Sequence, residues 1–372
     1  MRRAALALCL FAPSVDSLAV QPMHAAAAGF RAPVLRMDSE AESARDPSRV
    51  AALIAVPCAW GTYGPAVKLA YALPHVPPAP VLQALFQSVS FGGLLLANVL
   101  KAPKAASEAD DGAGLDLSTV RAGAELGGWL FLGQALQLQG LQRTDAAVAG
   151  FLVQLTTILV PLAETALLRR QLSARLWAAC TVAAAGLAII SSEALLAADG
   201  IGGASGSSML LGDGLVAASA LLYTTHVVRL GEYAGSIQPL PLARAKAGSQ
   251  LGYGVLTILA LSASGAIDGG ALGWLGSIST PEVQTLLLVM LWNGLIPSAF
   301  TTWAQTYGQA AVSPSAANVL YSFQPVWNAA IAATILHEQI TSSEIAGGAL
   351  IVLAAALAAT AESSEAEAEA AA

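Results

Sequence analysis

Between residues 50 and 361 the sequence falls into ten runs of about 20 mostly apolar residues, and a run of that length wound as a helix crosses a bilayer. The runs lie near 50–70, 80–100, 122–141, 147–168, 174–193, 209–230, 245–265, 283–306, 315–336 and 342–361. Composition points the same way. Of 372 residues 56% are hydrophobic and only 11% charged, with a mean hydropathy of +0.64, whereas a soluble domain carries about 25% charged residues. Folded in water, the chain would have more apolar surface than it could cover, which disfavours a large soluble helical protein. The excess is Ala, Leu, Val and Gly. Small side chains among these suit helices packed in lipid, because they let backbones approach.

Three linkers interrupt the runs. Residues 101–120 are charged and contain Gly, and 195–208 and 266–281 are rich in Gly and Ser, as turns are. With sides counted from the amino terminus, side A receives Arg45, Arg49, Lys101, Lys104, Arg121, Arg169, Arg170, Arg175, Arg229, Arg244 and Lys246. Side B receives Lys68 and Arg143. This asymmetry predicts that side A is cytoplasmic, or stromal in a plastid inner membrane. An even number of helices returns the carboxyl terminus to the same side.

Two stretches are copies of one unit. "TTILVPLAETALLRRQLS" at 156–173 and "QPVWNAAIAATILHEQIT" at 324–341 align without a gap at an offset of 168 residues. Each is an apolar run followed by two polar residues, Gln, Leu or Ile, and Ser or Thr. Each half of the chain has five runs, and an odd number inverts the second copy. The unit therefore ends on side A the first time and on side B the second. Arg169-Arg170 sits where positive charge is favoured; His337-Glu338, at the same place in the repeat, has lost both arginines. The fold class expected is an all-α polytopic membrane protein with ten transmembrane helices as two inverted five-helix repeats. Residues 46–194 form the first repeat, 195–208 the linker and 209–361 the second repeat.

These features resemble the EamA-type family of the drug/metabolite transporter superfamily. In that family each half closes with a helix, a short "GERLS"- or "GERLT"-like turn and a last apolar helix rich in Gly and Ala. The second half resembles this over "SPSAANVLYSFQPVWNAAIAATILHEQITSSEIAGGALIVLAAALA", and the first over "TDAAVAGFLVQLTTILVPLAETALLRRQLSARLWAACTVAAAGLAII". "WGTYGPAVKLA" at 60–70 is similar to the family's first helix and "LGDGLVAASALLYTTHVVRL" at 211–230 to its sixth. Two departures stand out. Arg169-Arg170 replaces Gly-Glu, and Thr157 stands where the second half has Pro325. The resemblance implies a secondary transporter or facilitator with a central cavity open alternately to each side. Inverted repeats place a solute site near the midplane on independent grounds.

The ends of the chain read as targeting and tail. "MRRAALALCLFAPSVDSLA" has two arginines, a short apolar run and small residues before a cleavage point after Ala19, which is signal-peptide grammar. Residues 20–45 begin Ala-rich and free of acidic residues up to Met37, with Arg31 and Arg36, as a transit peptide does. Together they resemble the two-part leader of proteins bound for complex plastids. A plain secretory signal and a mitochondrial presequence are the alternatives, so the expected location is a plastid envelope membrane, with a secretory-pathway or plasma membrane as the other reading. Residues 362–372 form an acidic, low-complexity tail.

Polar residues inside apolar helices are costly in lipid and are functional candidates for that reason. Trp60, Tyr63 and Lys68 lie in the first run; Lys68 either lines the path or snorkels to the side-B interface. Gln83 and Gln87 share a face of the second run. Gln134, Gln137 and Gln139 in the third cannot all face one way, and Gln134 is the cavity candidate. Gln154 and Thr157 follow in the fourth. Glu164, near the end of that run, either pairs with Arg169 or couples protons. In the second half Tyr223 and His226 share a face; the histidine is either packed and hydrogen-bonded or a proton carrier. Asn293 and Trp292 open a polar cluster in the eighth run, where Pro297 invites a kink. Asn318, Tyr321, Gln324 and Asn328 form a polar stripe on the ninth, expected to be a cavity wall.

No metal-ligand cluster, nucleotide-binding loop or nucleophile motif occurs, so neither a metal nor a cofactor is expected. Three cysteines make no disulfide framework. A membrane enzyme would need clustered His, Asp, Glu or Cys within the runs, and they have none. The expected partners are a small-molecule substrate and the lipid bilayer, with no nucleic acid; the sequence gives no oligomeric state. Phosphate binding recruits Arg or Lys clamps, and the ninth and tenth runs contain neither. A neutral or zwitterionic, amino-acid-like metabolite fits the Gln, Asn, Tyr and Trp inventory better. A phosphorylated solute, or a non-transporting scaffold or sensor, are the alternatives.

Overall fold

The apolar runs wind into helices that make up nearly all of the described residues: 47–101, 116–144, 146–169, 171–197, 206–267, 273–327 and 342–371 of this computed structural model. Among the described residues there is no β-strand. The first half contains α1 (Pro47–Gly61), α2 (Tyr63–Tyr71), α3 (Ala79–Lys101), α4 (Leu117–Leu141), α5 (Ala146–Val153), α6 (Thr156–Leu167) and α7 (Ala174–Ala197). The second contains α8 (Gly206–Ala234), α9 (Pro239–Ala263), α10 (Thr280–Gly294), α11 (Thr301–Gly308), α12 (Pro314–Tyr321) and α13 (Ser342–Ala371). A π-helical turn, Leu295–Phe300, joins α10 to α11. The leader, Arg170, Asn328 and His337-Glu338 lie outside the described residues.

Among the described residues four stretches are long and apolar enough to cross a membrane: Pro47–Tyr71, Ala79–Leu100, Leu210–Ala234 and Thr280–Gly308. Ten were expected; part of the difference lies in short or interrupted helices such as α5, α6 and α12, and part in α4 and α9. Each of the last two has 25 residues. However, α4 carries Arg121, Glu125 and three glutamines, and α9 carries Arg244, Lys246 and Gln250, which dilute their apolar character. Large apolar side chains such as Leu96, Leu100, Leu259 and Leu288 point outward, where a bilayer would cover them.

Helix starts follow from capping chemistry. The Asp116 carboxylate accepts from Thr119 N at 3.0 Å, and the Ser313 hydroxyl accepts from Ala316 N at 3.2 Å ahead of Pro314. At α10, Ser279 and Glu282 form a reciprocal capping box. Glycine permits the closest helix approaches. A methyl group on Gly123 of α4 would sit 2.3 Å from the Ala245 Cβ and 2.7 Å from its carbonyl carbon on α9. One on Gly186 of α7 would sit 2.6 Å from the Gly347 carbonyl oxygen on α13.

Two helical paths stop and restart at matching places. The path α5–α6 is interrupted at Gln154-Leu155 and the path beginning with α12 at Ser322-Phe323, so the two interruptions are 168 residues apart, the offset of the repeat. Pro325 has no N–H for the Tyr321 carbonyl four residues back, which explains the second. Thr157 holds the corresponding place in the first, and its N–H bonds the Gln154 carbonyl three residues back at 2.9 Å. The break recurs without the proline. Helices of one half pack on those of the other throughout: α4 on α8 and α9, α3 on α9 and α10, α1 on α11 and α12, α6 on α8 and α12, and α7 on α13.

Candidate functional site

A cavity of about 750 Å³, its open mouth included, lies where the interrupted paths meet. The first half contributes Trp60, Tyr63, Leu130, Gln134, Gln137, Val153, Gln154 and Thr156. The second contributes Tyr223, His226, Val227, Pro297, Ser298, Gln305, Asn318, Tyr321 and Gln324. Apolar clusters close over the cavity on two sides. One is built on Leu82, Phe86, Leu138 and Val289, with Tyr63 and Val153 at its edge. The other is built on Leu53, Val160, Val228 and Tyr321, with Trp60 at its edge. His226, Gln305, Asn318 and Tyr321 are buried, whereas Tyr63, Gln134, Gln137 and Val153 are half-buried. The cavity is thus closed toward α11 and α12 and looser toward α2 and α5.

Glutamines tie the halves together across this space. Gln154 Nε2 donates to Gln324 Oε1 at 3.0 Å and, more weakly, to the Tyr321 carbonyl at 3.4 Å. That carbonyl is the one Pro325 leaves without its helical donor, so a side chain from one break satisfies the backbone of the other. Gln324 Nε2 in turn donates to the Trp60 carbonyl at 3.4 Å. The Trp60 and Tyr321 rings meet edge-on, 5.1 Å between centroids, and Tyr223 donates to Gln137 Oε1 at 2.7 Å.

Several expected residues sit elsewhere. Gln83 is buried and donates to the Phe131 carbonyl at 2.9 Å, which makes it a seam between α3 and α4 and no part of the lining. Gln87 stands behind the wall and donates to Gln134 Oε1. Asn293 is buried and turned back on its own helix, donating to the Val289 carbonyl at 3.1 Å. Lys68 donates to the Thr144 carbonyl at 2.7 Å, away from the cavity. Glu164 is fully buried, and its Oε2 accepts from Ser315 N at 3.1 Å and Ser315 Oγ at 2.6 Å. It ties α6 to the start of α12 beneath the cavity.

A model of the EamA-like transporter family matches residues 48–192 and 245–360. The chain belongs to that family. It is therefore an integral membrane protein of a transporter family rather than of an enzyme family. Comparison with curated proteins finds no significant match. Among solved structures, one titled only as the crystal structure of a protein superposes with a TM-score of 0.63 at 18% sequence identity, over 84% of this chain and 96% of the other. That likeness concerns the fold alone.

Within this EamA-like chain, sequence reasoning missed four lining residues of the second half. Ser298 and Gln305 follow Asn293 by five and twelve residues, and Pro297 sits in the π-helical turn that rotates the later side chains relative to a regular helix. No regular 3.6-residue count reaches them correctly. Val227 follows His226 and is apolar, so nothing marked it. Lys246 was also misplaced. It reads as a side-A interface charge, yet it is fully buried on α9 with its Nζ 3.5 Å from Thr306 Oγ1. Arg229 is not available to the cavity: Glu125 holds it at 2.5 and 3.0 Å, and Glu232 and Tyr233 complete the clasp.

Proposed function

We propose that this chain moves a small neutral or zwitterionic metabolite across a membrane by alternating access, through the cavity between two inverted five-helix repeats. The observation that carries this is the contact of the two helix breaks, where Gln154 bonds both Gln324 and the Tyr321 carbonyl. Irregular backbone is tolerated at membrane depth when it lines a cavity, and matched breaks in the two repeats are the expected mark of a solute site.

The pairing of helices supports the repeat. Let α1–α2, α3, α4, α5–α6 and α7 exchange in order with α8, α9, α10–α11, α12 and α13. Contacts α4–α8, α4–α9 and α6–α8 then become α11–α1, α10–α3 and α12–α1, all of which occur; α3–α9, α6–α12 and α7–α13 map onto themselves. Ten crossings follow if α4, α9 and the shorter helices span the membrane with their polar groups turned inward. Single cysteines at Arg169 and Glu338 are then expected to react with an impermeant thiol reagent from opposite sides of the membrane. Labelling of both from one side removes the inverted topology.

Among the described residues the lining holds no Asp, Glu, Lys or Arg, which supports a solute without a phosphate group. Purified protein in liposomes should take up amino-acid-like solutes and not sugar phosphates. Saturable uptake of a sugar phosphate alone would overturn the substrate reading while keeping transport. The composition of residues 1–45 supports a plastid envelope as the destination, and the location of a fluorescent fusion of those residues tests it.

A further inference from the structure

Of the polar atoms that line the cavity, three are buried without a hydrogen-bond partner among the described residues: His226 Nε2, Asn318 Nδ2 and the Tyr321 hydroxyl. Their residues are 1%, 2% and 2% exposed. Gln305 lies beside the hydroxyl, but outside bonding geometry. The three come from α8 and α12, which pack on each other. A buried polar atom left unpaired is expensive; others occur among the described residues, such as Asn293 Oδ1 and Gln309 Oε1, and these three are the ones on residues that line the cavity.

All three are donors. An amide NH2 only donates, a phenol donates its single proton, and imidazole donates from Nε2 in one neutral tautomer and in its cation. These donors belong to residues that line one cavity and ask for an acceptor, and among the described residues no carboxylate lines it. A primary amine also lies nearby. Lys246, fully buried and close enough to His226 to act on it electrostatically, has the Thr306 hydroxyl as its neighbour and no carboxylate partner among the described residues.

We propose that this closed end of the cavity is a carboxylate site, in which Asn318 Nδ2, the Tyr321 hydroxyl and His226 Nε2 donate to the carboxylate of the solute and Lys246 stands one layer behind. The assignment rests on the transport reading above and narrows its solute to one that bears a carboxylate. A carboxylate accepts up to about four hydrogen bonds on two oxygens for a single charge, which suits three donors. A phosphate carries more charge and calls for a guanidinium clamp, and Arg229 is already engaged by Glu125. Trp60, Tyr63 and Val153, at the looser end, remain for the rest of the solute.

The test uses the full chain in liposomes and radiolabelled pairs that differ only in the carboxylate: phenylalanine and phenylalaninamide, alanine and alaninamide, lactate and lactamide, with uracil and glucose alongside. The carboxylate member of a transported pair should enter faster than its amide by roughly 10- to 100-fold, the range for hydrogen bonds to a charged group. Asn318→Asp, which keeps size and places a negative charge at the site, should remove that advantage. Should Asn318→Asp fail to fold, Lys246→Gln is read instead and should slow the carboxylates without slowing the amides. Amides, uracil or glucose entering as fast as the carboxylates overturns this site and leaves transport standing, and so does a variant with unchanged preference. No uptake of any solute by the folded protein removes both.

Discussion

Joining cysteines at positions 164 and 315 with a short, reducible cross-linker is expected to stop uptake, and reduction should restore it. Glu164 on α6 and Ser315 at the start of α12 belong to different halves and are both fully buried. The carboxylate accepts from the Ser315 N–H and hydroxyl, hydrogen bonds to a charged group worth about 1.5–3 kcal/mol each. The contact lies beneath the closed end of the cavity, so a solute leaving on that side must part it. A cross-link that cannot part keeps α6 and α12 together, as they are in this structure. The comparison is made in a background without Cys9, Cys58 and Cys180, with the untreated double variant as reference. Normal uptake by the cross-linked protein would mean that α6 and α12 stay together throughout transport, and alternating access at this seam would be refuted.

Gly123→Leu is expected to destabilise the protein by about 1–3 kcal/mol or more, the range for overpacking a filled contact. The obstacle is backbone: even a methyl group meets the Ala245 carbonyl carbon at 2.7 Å, so a rotamer change on the partner cannot relieve it. The helices α4 and α9 must move apart, and each lines or backs the cavity. Gly92→Ala is the matched control. Nothing lies within 4 Å of its added methyl group, and alanine is favoured over glycine in a helix by up to about 1 kcal/mol. A thermal melt of the detergent-solubilised protein, followed by loss of the monodisperse peak, should therefore separate the two in opposite directions. Equal midpoints would show that α4 and α9 do not approach as closely as described.

The gapless match at an offset of 168 residues was legible in the sequence, and the two helix breaks fall at that same offset. Asn318, Tyr321 and Gln324 were legible as a polar stripe, and all three line the cavity, although the break at Ser322-Phe323 separates Gln324 from the helix that carries the other two. What periodicity does not show is which neighbour a polar face meets. Gln83 and Gln87 share a face as expected, yet that face meets α4, so they donate to the Phe131 carbonyl and to Gln134. Asn293 turned its amide N–H back on its own helix. Lys246 misled for the opposite reason: seven residues past the start of α9, it sits where snorkelling charges are common, and only the packing of α3, α4 and α11 around that helix buries it. The π-helical turn at Leu295–Phe300 shifted Gln305 out of regular register. Each of these depends on contacts between distant segments, which local pattern does not encode.

The paired interruptions have one more effect. Where the regular helical ladder is interrupted, backbone carbonyls are left to take other donors, as the Tyr321 carbonyl takes Gln154 Nε2. At Gln154-Leu155 and Ser322-Phe323 the ladder is interrupted in both halves. The backbone thereby makes the passage polar with groups that never ionise, and that polarity persists unchanged through any pH at which the protein remains folded.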